Sequence, residues 1–353
     1  MNQVISLENL VVACQKQRVS DIHFRYDVPI KIRLHGQIKE MAKGGALTDE
    51  DILNYIKQMG YTQEYLKKMG DKEIDGAITV RGIRCRLNIY RQQEHYSIAL
   101  RILNDTIPEF ENLGLHPICK EFTQYNNGIV IITGETGSGK STTLAALIDY
   151  INQNDCEHII TLEDPIEYVH RKGRCLINQR QIGRDTESFE AGLMSALRQD
   201  PDIILVGEMR TPEVIETALT AAETGHLVFA TLHTNSAADT IDRIVGVFPA
   251  EKQQQIRTQL SMCIKAIVAQ QLVPKKDGTG RVLAYEIMIS NPAFRSLIKD
   301  GKTSQIKQQM QTSSSDGNIT MDSCLIRLAK QGLISKQEAV ERASERDLVA
   351  RQI

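Results

Sequence analysis

Apolar positions in the first third of the chain follow two different periods. Behind Ser6, residues Leu7, Leu10, Val11 and Cys14 recur at helical spacing, so Met1–Gln17 reads as an amphipathic helix with Ser6 as its cap. Ile30, Ile32 and Leu34 then alternate with Pro29, Lys31 and Arg33, and Gly36 turns the chain before Ile38, which is a hairpin pattern. Thr48 to Asp51 has the spacing of a capping box with a carboxylate. Ile52, Leu53, Ile56 and Met59 follow at helical spacing, with Gly60 as the C-cap. A further β region runs from Lys72 to Leu103, and Pro108 to Pro117 reads as a linker. From Gly128 onward the texture changes. Ile129–Thr133, Ile159–Leu162, Ile203–Val206 and Leu227–Leu232 are continuous apolar runs separated by capped helical patterns, which suits parallel strands covered on both faces. Beyond Asn291 the pattern is helical and polar, with a capping box at Ser335–Glu338 and a flexible loop expected at Ser313–Asn318.

Composition narrows the function more than the fold. The 353 residues are enough for two domains and a sizeable core. A net charge of −2 supplies no field that would draw the chain to nucleic acid or anionic lipid. Trp is absent and aromatic residues make up 5%, which argues against a base-stacking surface and against a DNA motor. No apolar run is long enough to span a bilayer, and residues 1–17 lack the basic and apolar blocks of a signal peptide. The seven cysteines are scattered and never spaced as CxxC, which fits reduced thiols in a cytosol rather than a disulfide framework or a zinc site.

The strongest chemical signal is Gly134-Glu135-Thr136-Gly137-Ser138-Gly139-Lys140-Ser141-Thr142, preceded by the strand-like run Gly128–Thr133 and followed by a helical pattern. Strand, G-x-x-x-x-G-K-[ST] and helix together form the Walker A context. The glycines allow a tight loop whose N–H groups converge on phosphate oxygens, and the helix N-terminus adds partial positive charge. Lys140 is expected to neutralise the β- and γ-phosphates of ATP, and Ser141 to ligate Mg²⁺.

Two strand-like runs end in carboxylates. Asp202–Glu208 has a Walker B shape, with Gly207 where many P-loop enzymes carry Asp. Glu208 then holds Mg²⁺ through water, orients the attacking water, or does both; the alternative is a capping or pairing role with Arg210. Glu163 and Asp164 follow Ile160–Leu162 and stop at Pro165, placing them where the carboxyl ends of parallel strands meet a ligand crevice. His233 leaves the Leu227–Leu232 run at its carboxyl end and is the better γ-phosphate sensor, whereas His226 enters at the opposite end, where it is available to a neighbouring subunit. In the N-terminal part Arg84 and Arg86 alternate with Cys85 and Leu87, so a strand puts both arginines on one face, and Arg101 ends the next strand. Arginines from outside a P-loop domain stabilise transition-state charge, though a solvated strand face reads equally well.

Taken together these residues closely resemble the secretion-type ATPases that power type IV pili and type II secretion. The resemblance runs from Val19-Ser-Asp-Ile-His23 through the Walker A box and Thr161-Leu-Glu-Asp-Pro-Ile-Glu167. It continues through Asp200–Arg210 to the histidine box Ala222–Asn235. Within the family the chain is similar to the PilT type of pilus retraction ATPases. Leu272–Glu286 is short and has no paired cysteines, the long N-terminal region of assembly-type relatives is lacking, and Ala293–Lys299 stands at the retraction enzymes' A-I-R-like motif, with Phe294 for Ile. Thr211 and Pro212 replace the more usual Asp-Leu and read as N-cap and N1 of a helix.

The resemblance implies an α/β fold with a RecA-like P-loop core, residues 121–290. Ahead of it stand an N-terminal α+β, PAS-like domain, residues 1–106, and a linker, 107–120; a C-terminal helical region, 291–353, follows. It implies a homo-hexameric ring with ATP between the N-terminal domain of one subunit and the core of the next. It makes Lys140, Ser141, Glu163, Glu208, His226 and His233 functional and raises Arg84, Arg86 and Arg101 as phosphate contacts. It implies ATP and Mg²⁺ as the bound species and a cytoplasmic location at the inner membrane. Membrane association would come only through an inner-membrane pilus platform protein, and no nucleic acid is expected. Pilus assembly, secretion, or a nucleotide-binding regulator with little hydrolysis are the competing roles.

Overall fold

The computed structural model describes residues 5–34, 37–41, 45–70, 73–103 and 106–353, which divide into two compact units. The first comprises Met1–Thr106 with Asp164–Val169, and the second comprises Ile107–Glu163 with His170–Ile353.

The first unit is an antiparallel sheet with helices. Its strands are β1 (Val19–Phe24), β2 (Lys31–Leu34), β3 (Gln37–Glu40), β4 (Ile74–Val80), β5 (Ile83–Gln92) and β6 (His95–Ile102), in the order β3-β2-β1-β6-β5-β4. Helix α1 (Leu7–Lys16) begins at Ser6, whose side chain accepts from Asn9 N, and buries Leu7, Leu10, Val11 and Cys14. Helix α2 (Asp49–Gln58) starts in the capping box of Thr48 and Asp51, and α3 (Gln63–Met69) follows. Gly60, just past α2, has φ +91°. The inward residues of the strands, among them Ile22, Phe24, Leu87, Ile89, Ile98 and Leu100, form one core with the helices. The β2–β3 hairpin forms as expected, but its turn at Gly36 lies outside the described residues. Ile38 does not join the core: all of β3 is exposed, because it is the last strand of the sheet and no described residue covers it.

The second unit holds the sheet β13-β12-β7-β11-β10-β8-β9. Its strands are β7 (Gly128–Thr133), β8 (His158–Glu163), β9 (Leu176–Gln181), β10 (Ile203–Val206), β11 (Leu227–Leu232), β12 (Ile264–Pro274) and β13 (Arg281–Ile289). All neighbours are parallel except β13, which returns antiparallel to β12. The apolar runs are continuous because both faces are covered. Ile129 and Ile131 point into one cluster, and Val130 and Ile132 point into the other, as the two-residue period requires. Each such side chain, fully removed from water, contributes about 1.5–3 kcal/mol.

The helices of this unit are α4 (Lys140–Asn154), α5 (Phe189–Ala196), α6 (Pro212–Glu223), α7 (Ala237–Gly246), α8 (Ala250–Cys263), α9 (Pro292–Lys299), α10 (Ile306–Thr312), α11 (Met321–Lys330), α12 (Lys336–Arg342) and α13 (Arg346–Gln352). Thr211 caps α6 with Pro212 in its first turn, and Phe294 of α9 is fully buried.

Three expectations need revision. Ser313–Asn318 is ordered by hydrogen bonds: buried Asn318 donates to Ser313 O (3.1 Å) and accepts from Ile289 N (2.7 Å). Ser335 accepts from Glu338 N, but Glu338 turns its carboxylate to Arg342 (2.7 Å) and so does not complete a box. The linker-like stretch after Pro108 carries two 3₁₀ turns, and its Phe110, Leu115 and Cys119 are buried against α4 and its neighbours.

Candidate functional site

The loop between β7 and α4 is built around positions where a side chain does not fit. Gly134 has φ +145°, and a Cβ there would lie 2.3 Å from Gln270 O and 2.5 Å from Ser138 Oγ. Gly139 caps α4 with φ +95° and no side-chain hydrogen bond, and the start of a helix is a site that favours an anion. Lys140 is buried and donates through Nζ to Gly134 O (2.7 Å) and Glu135 O (2.9 Å), closing the loop on itself. Ser138 Oγ is buried with no hydrogen-bond partner in the loop. Ser141, in the first turn of α4, is exposed, and Thr142 is half-buried. The loop therefore offers an ammonium, an unused buried hydroxyl and a helix N-terminus, which is a donor set for phosphate.

The next strands in the sheet bring carboxylates to the same edge. β10 ends at Val206, and Gly207 N donates to Leu162 O (2.8 Å) of β8. A Cβ at Gly207 would sit 2.9 Å from Leu162 O, which explains why this position carries no side chain. Glu208 follows, only 17% exposed. Its Oε1 is 2.7 Å from Arg210 Nε and its Oε2 is 3.6 Å from His233 Nε2. The pairing with Arg210 and the approach to His233 thus hold together. Glu163 ends β8 and accepts through Oε1 from Thr161 Oγ1 (2.7 Å) and Gln179 Nε2 (3.1 Å). Thr133, the last residue of β7, binds the histidine segment: its Oγ1 lies 2.7 Å from Thr234 Oγ1 and accepts from Thr234 N (2.9 Å).

Among the described residues no group of three His, Cys, Asp or Glu is arranged to hold a metal ion. A divalent cation at this loop would draw its oxygens from Ser141, one carboxylate such as Glu208 and the phosphates themselves, the sparse protein ligation that suits Mg²⁺.

His226 does not join this cluster. His226 stands at the opposite end of β11, with Nδ1 3.0 Å from Ala221 O, and lines a separate cleft of about 370 Å³ with Asp155, Glu157 and Asp202. The arginines belong to the first unit, and Asp164 groups with that unit too. There Arg84 Nε donates to Ile166 O (2.9 Å), Arg86 is exposed, and Arg101 Nε donates to Asp21 Oδ1 (2.8 Å). Burial alone would raise the Asp21 carboxyl, but the hydrogen bonds from Arg101 and Ser20 outweigh it and hold Asp21 below the ordinary carboxylate range.

Sequence reasoning passed over two buried polar side chains beside the loop. Gln270 of β12 donates to Thr143 Oγ1 (2.9 Å), under the first turn of α4. Glu286 of β13 accepts from Ala237 N (2.8 Å) and Met321 N (3.3 Å). Burial pushes the Glu286 carboxyl above its ordinary range, against the pull of those two bonds. The available signal was a charged residue, Glu286, inside the apolar run Val282–Ile289, and the glutamine pair Gln270-Gln271 inside β12.

The chain matches the protein family described as Type II/IV secretion system protein over residues 2–341. It is 45% identical over 347 residues to the type IV pilus retractation ATPase PilT of Pseudomonas aeruginosa, covering 96% of this chain and 98% of that protein. It is 44% identical over 313 residues to a twitching motility protein of Neisseria gonorrhoeae, covering 88% of this chain and 83% of that one. Among solved structures, that of the pilus retraction motor PilT with bound ADP superposes with a TM-score of 0.91 at 43% identity, covering 99% of this chain and all of that one (100%).

Proposed function

The chain belongs to the Type II/IV secretion system protein family, and from that membership we propose that it is an ATPase motor that hydrolyses Mg·ATP to power type IV pilus retraction. The observation that carries this reading is the juxtaposition of the β7–α4 phosphate loop with Glu208 and His233 at the carboxyl ends of β10 and β11. Such strand ends are where ligands of parallel α/β sheets bind. The near full-length similarity to a pilus retractation ATPase supplies the cargo.

In this reading the loop N–H groups from Gly134 to Thr142 hold the phosphates. The Lys140 ammonium exchanges its bonds to Gly134 O and Glu135 O for phosphate oxygens. The Ser141 hydroxyl and the Glu208 carboxylate would hold the metal, Glu208 directly or through water. When bound, Mg²⁺ neutralises charge on the phosphate oxygens. Glu163 and Glu208 share the positioning of the attacking water, and His233 reports the γ-phosphate to Glu208. Arg86, with Arg84 and Arg101, supplies positive charge to the phosphates of another copy in a hexameric ring. His226 serves a contact between copies. The hydrolytic ring docks on an inner-membrane platform protein from the cytoplasmic side; no helix among the described residues is long and apolar enough to cross a membrane. Residues 1–106, 121–290 and 291–353 serve as N-terminal domain, ATPase core and C-terminal helical region.

The test is steady-state hydrolysis by the purified protein with Mg²⁺, its mass by light scattering, and Glu208→Gln as control. Turnover by a hexamer that falls about 10²-fold or more in the variant, with nucleotide affinity kept, is expected. A wild-type protein without turnover overturns the motor reading. In cells, loss of the gene should leave pili present and abolish twitching; loss of the pili themselves would reassign it to assembly.

A further inference from the structure

Glu286 is a buried acid in the core of the second unit: it sits on β13 and is 5% exposed. Burying a carboxylate is costly unless its oxygens are satisfied. Its two oxygens go to the starts of two different helices: Ala237 N at the head of α7 and Met321 N at the head of α11. Negative charge at a helix N-terminus is favourable, so both contacts gain from the backbone dipoles.

The α7 contact bears on the catalytic edge. His233 to Ala237 is a short connection between β11 and α7. It is tethered at Thr234 by the Thr133 hydroxyl and at Ala237 by Glu286. Asn235 adds a long contact to Glu135 Oε1 (3.5 Å) of the loop, and Ser236 caps α7 itself, so Glu286 is the side chain that ties the head of α7 to β13. Glu286 also shares a cleft of about 440 Å³ with Glu135, Gly137 and Ser138 of the loop and with Asn235 and Ser236. Its other oxygen anchors α11, whose Asp322 accepts from Ser344 N (2.8 Å) and pairs with Lys307 (2.8 Å).

We infer that Glu286 is a positioning residue for hydrolysis, fixing the His233–Ala237 segment against the phosphate loop and tying that segment to the C-terminal helices. The inference rests on the ATPase reading and on His233 acting in it. Glu286 touches no reacting atom; it acts through the segment it holds.

The experiment compares kcat, KM and the affinity of a fluorescent ADP analogue for the full-length protein and for Glu286→Gln, each alone and with His233→Asn. Glutamine keeps the shape but sets an amide N–H₂ against a backbone N–H. We expect kcat to fall about tenfold or more, with KM and ADP affinity within about twofold, since a small misplacement at a reacting centre costs rate more than binding. In the His233→Asn background the further loss should be under about twofold, because the group that Glu286 positions is already gone. Unchanged kcat, an equal loss in both backgrounds, or a weakening of ADP binding parallel to the rate would overturn the inference. If Glu286→Gln does not fold, Glu286→Asp keeps the charge on a shorter arm; wild-type kcat in that variant overturns it equally. Absence of turnover in the wild-type protein would instead sink the ATPase reading, so the two failures are separable.

Discussion

Gly134 and Gly137 sit three residues apart in one loop, both at positive φ, yet the structure separates them sharply. A Cβ at Gly134 would meet Gln270 O at 2.3 Å and Ser138 Oγ at 2.5 Å, whereas a Cβ at Gly137 would have no heavy atom within 4 Å. Gly134→Ala therefore carries two costs. Forcing an L-residue to φ +145° costs about 1–3 kcal/mol. Overpacking against the β12 backbone, which cannot rotate away as a side chain would, costs about another 1–3 kcal/mol. Gly137→Ala at φ +80° carries only the left-handed penalty of about 1–2 kcal/mol. For a unit of this size a 3 kcal/mol loss lowers the melting temperature by roughly 6–12 °C. The loop has a second way to respond: it can shift by an ångström and keep the fold, and such a displacement costs about 10²-fold in rate. Thermal melting and ATPase assays read both responses on the same preparations. Gly134→Ala should lose stability, turnover or both by clearly more than Gly137→Ala. Equal melting temperatures together with equal turnover would refute the packing argument.

Two further outcomes follow from the first unit. Arg86→Ala should lower turnover without moving the urea midpoint, because the side chain is exposed, while Arg101→Ala should lower the midpoint by uncovering Asp21; unchanged turnover in Arg86→Ala would mark that strand face as merely solvated. The Asp21 carboxyl is held below its ordinary value, so its contribution to stability is present above about pH 4 and is lost as pH falls through the lowered folded value. Urea midpoints at neutral and acid pH should therefore converge between wild type and Asp21→Asn as the pH drops, and a constant gap would refute the assignment.

What was legible in the chain is what is local. The caps at Ser6, Thr48 and Thr211 place their own helix starts, and the four apolar runs from Ile129 to Leu232 became the central parallel strands because both faces of the sheet are covered. The P-loop was readable because strand, glycines, Lys140 and helix lie within about two dozen residues of one another. Contacts between distant segments were not readable. Ile38 has the right alternation but lies on an exposed edge strand. Ser313 and Asn318 look like solvent-loving loop residues, yet they close a buried turn on each other and on Ile289. The approach of His233 to Glu208 depends on β10 and β11 being neighbours, which no local pattern dictates.

Glu286 shows what such a distant contact adds to a motor. One carboxylate reaches two helix starts that are separated in sequence by the whole of α7 to α10. The Ala237 bond is well formed at 2.8 Å and the Met321 bond is longer at 3.3 Å, so the carboxylate has little slack toward α7 and more toward α11. A nucleotide-dependent shift of the segment after His233 must then either carry Glu286 and the head of α11 with it or break a buried hydrogen bond. Leaving a buried polar group unsatisfied costs about 1–3 kcal/mol. Couplings between sites are of the same size, about 1–3 kcal/mol. A bond of that strength is large enough to link loop and C-terminal helices and small enough to break within a hydrolysis cycle. An apolar residue at this position would leave Ala237 N and Met321 N without this acceptor and would let α7 and α11 move independently.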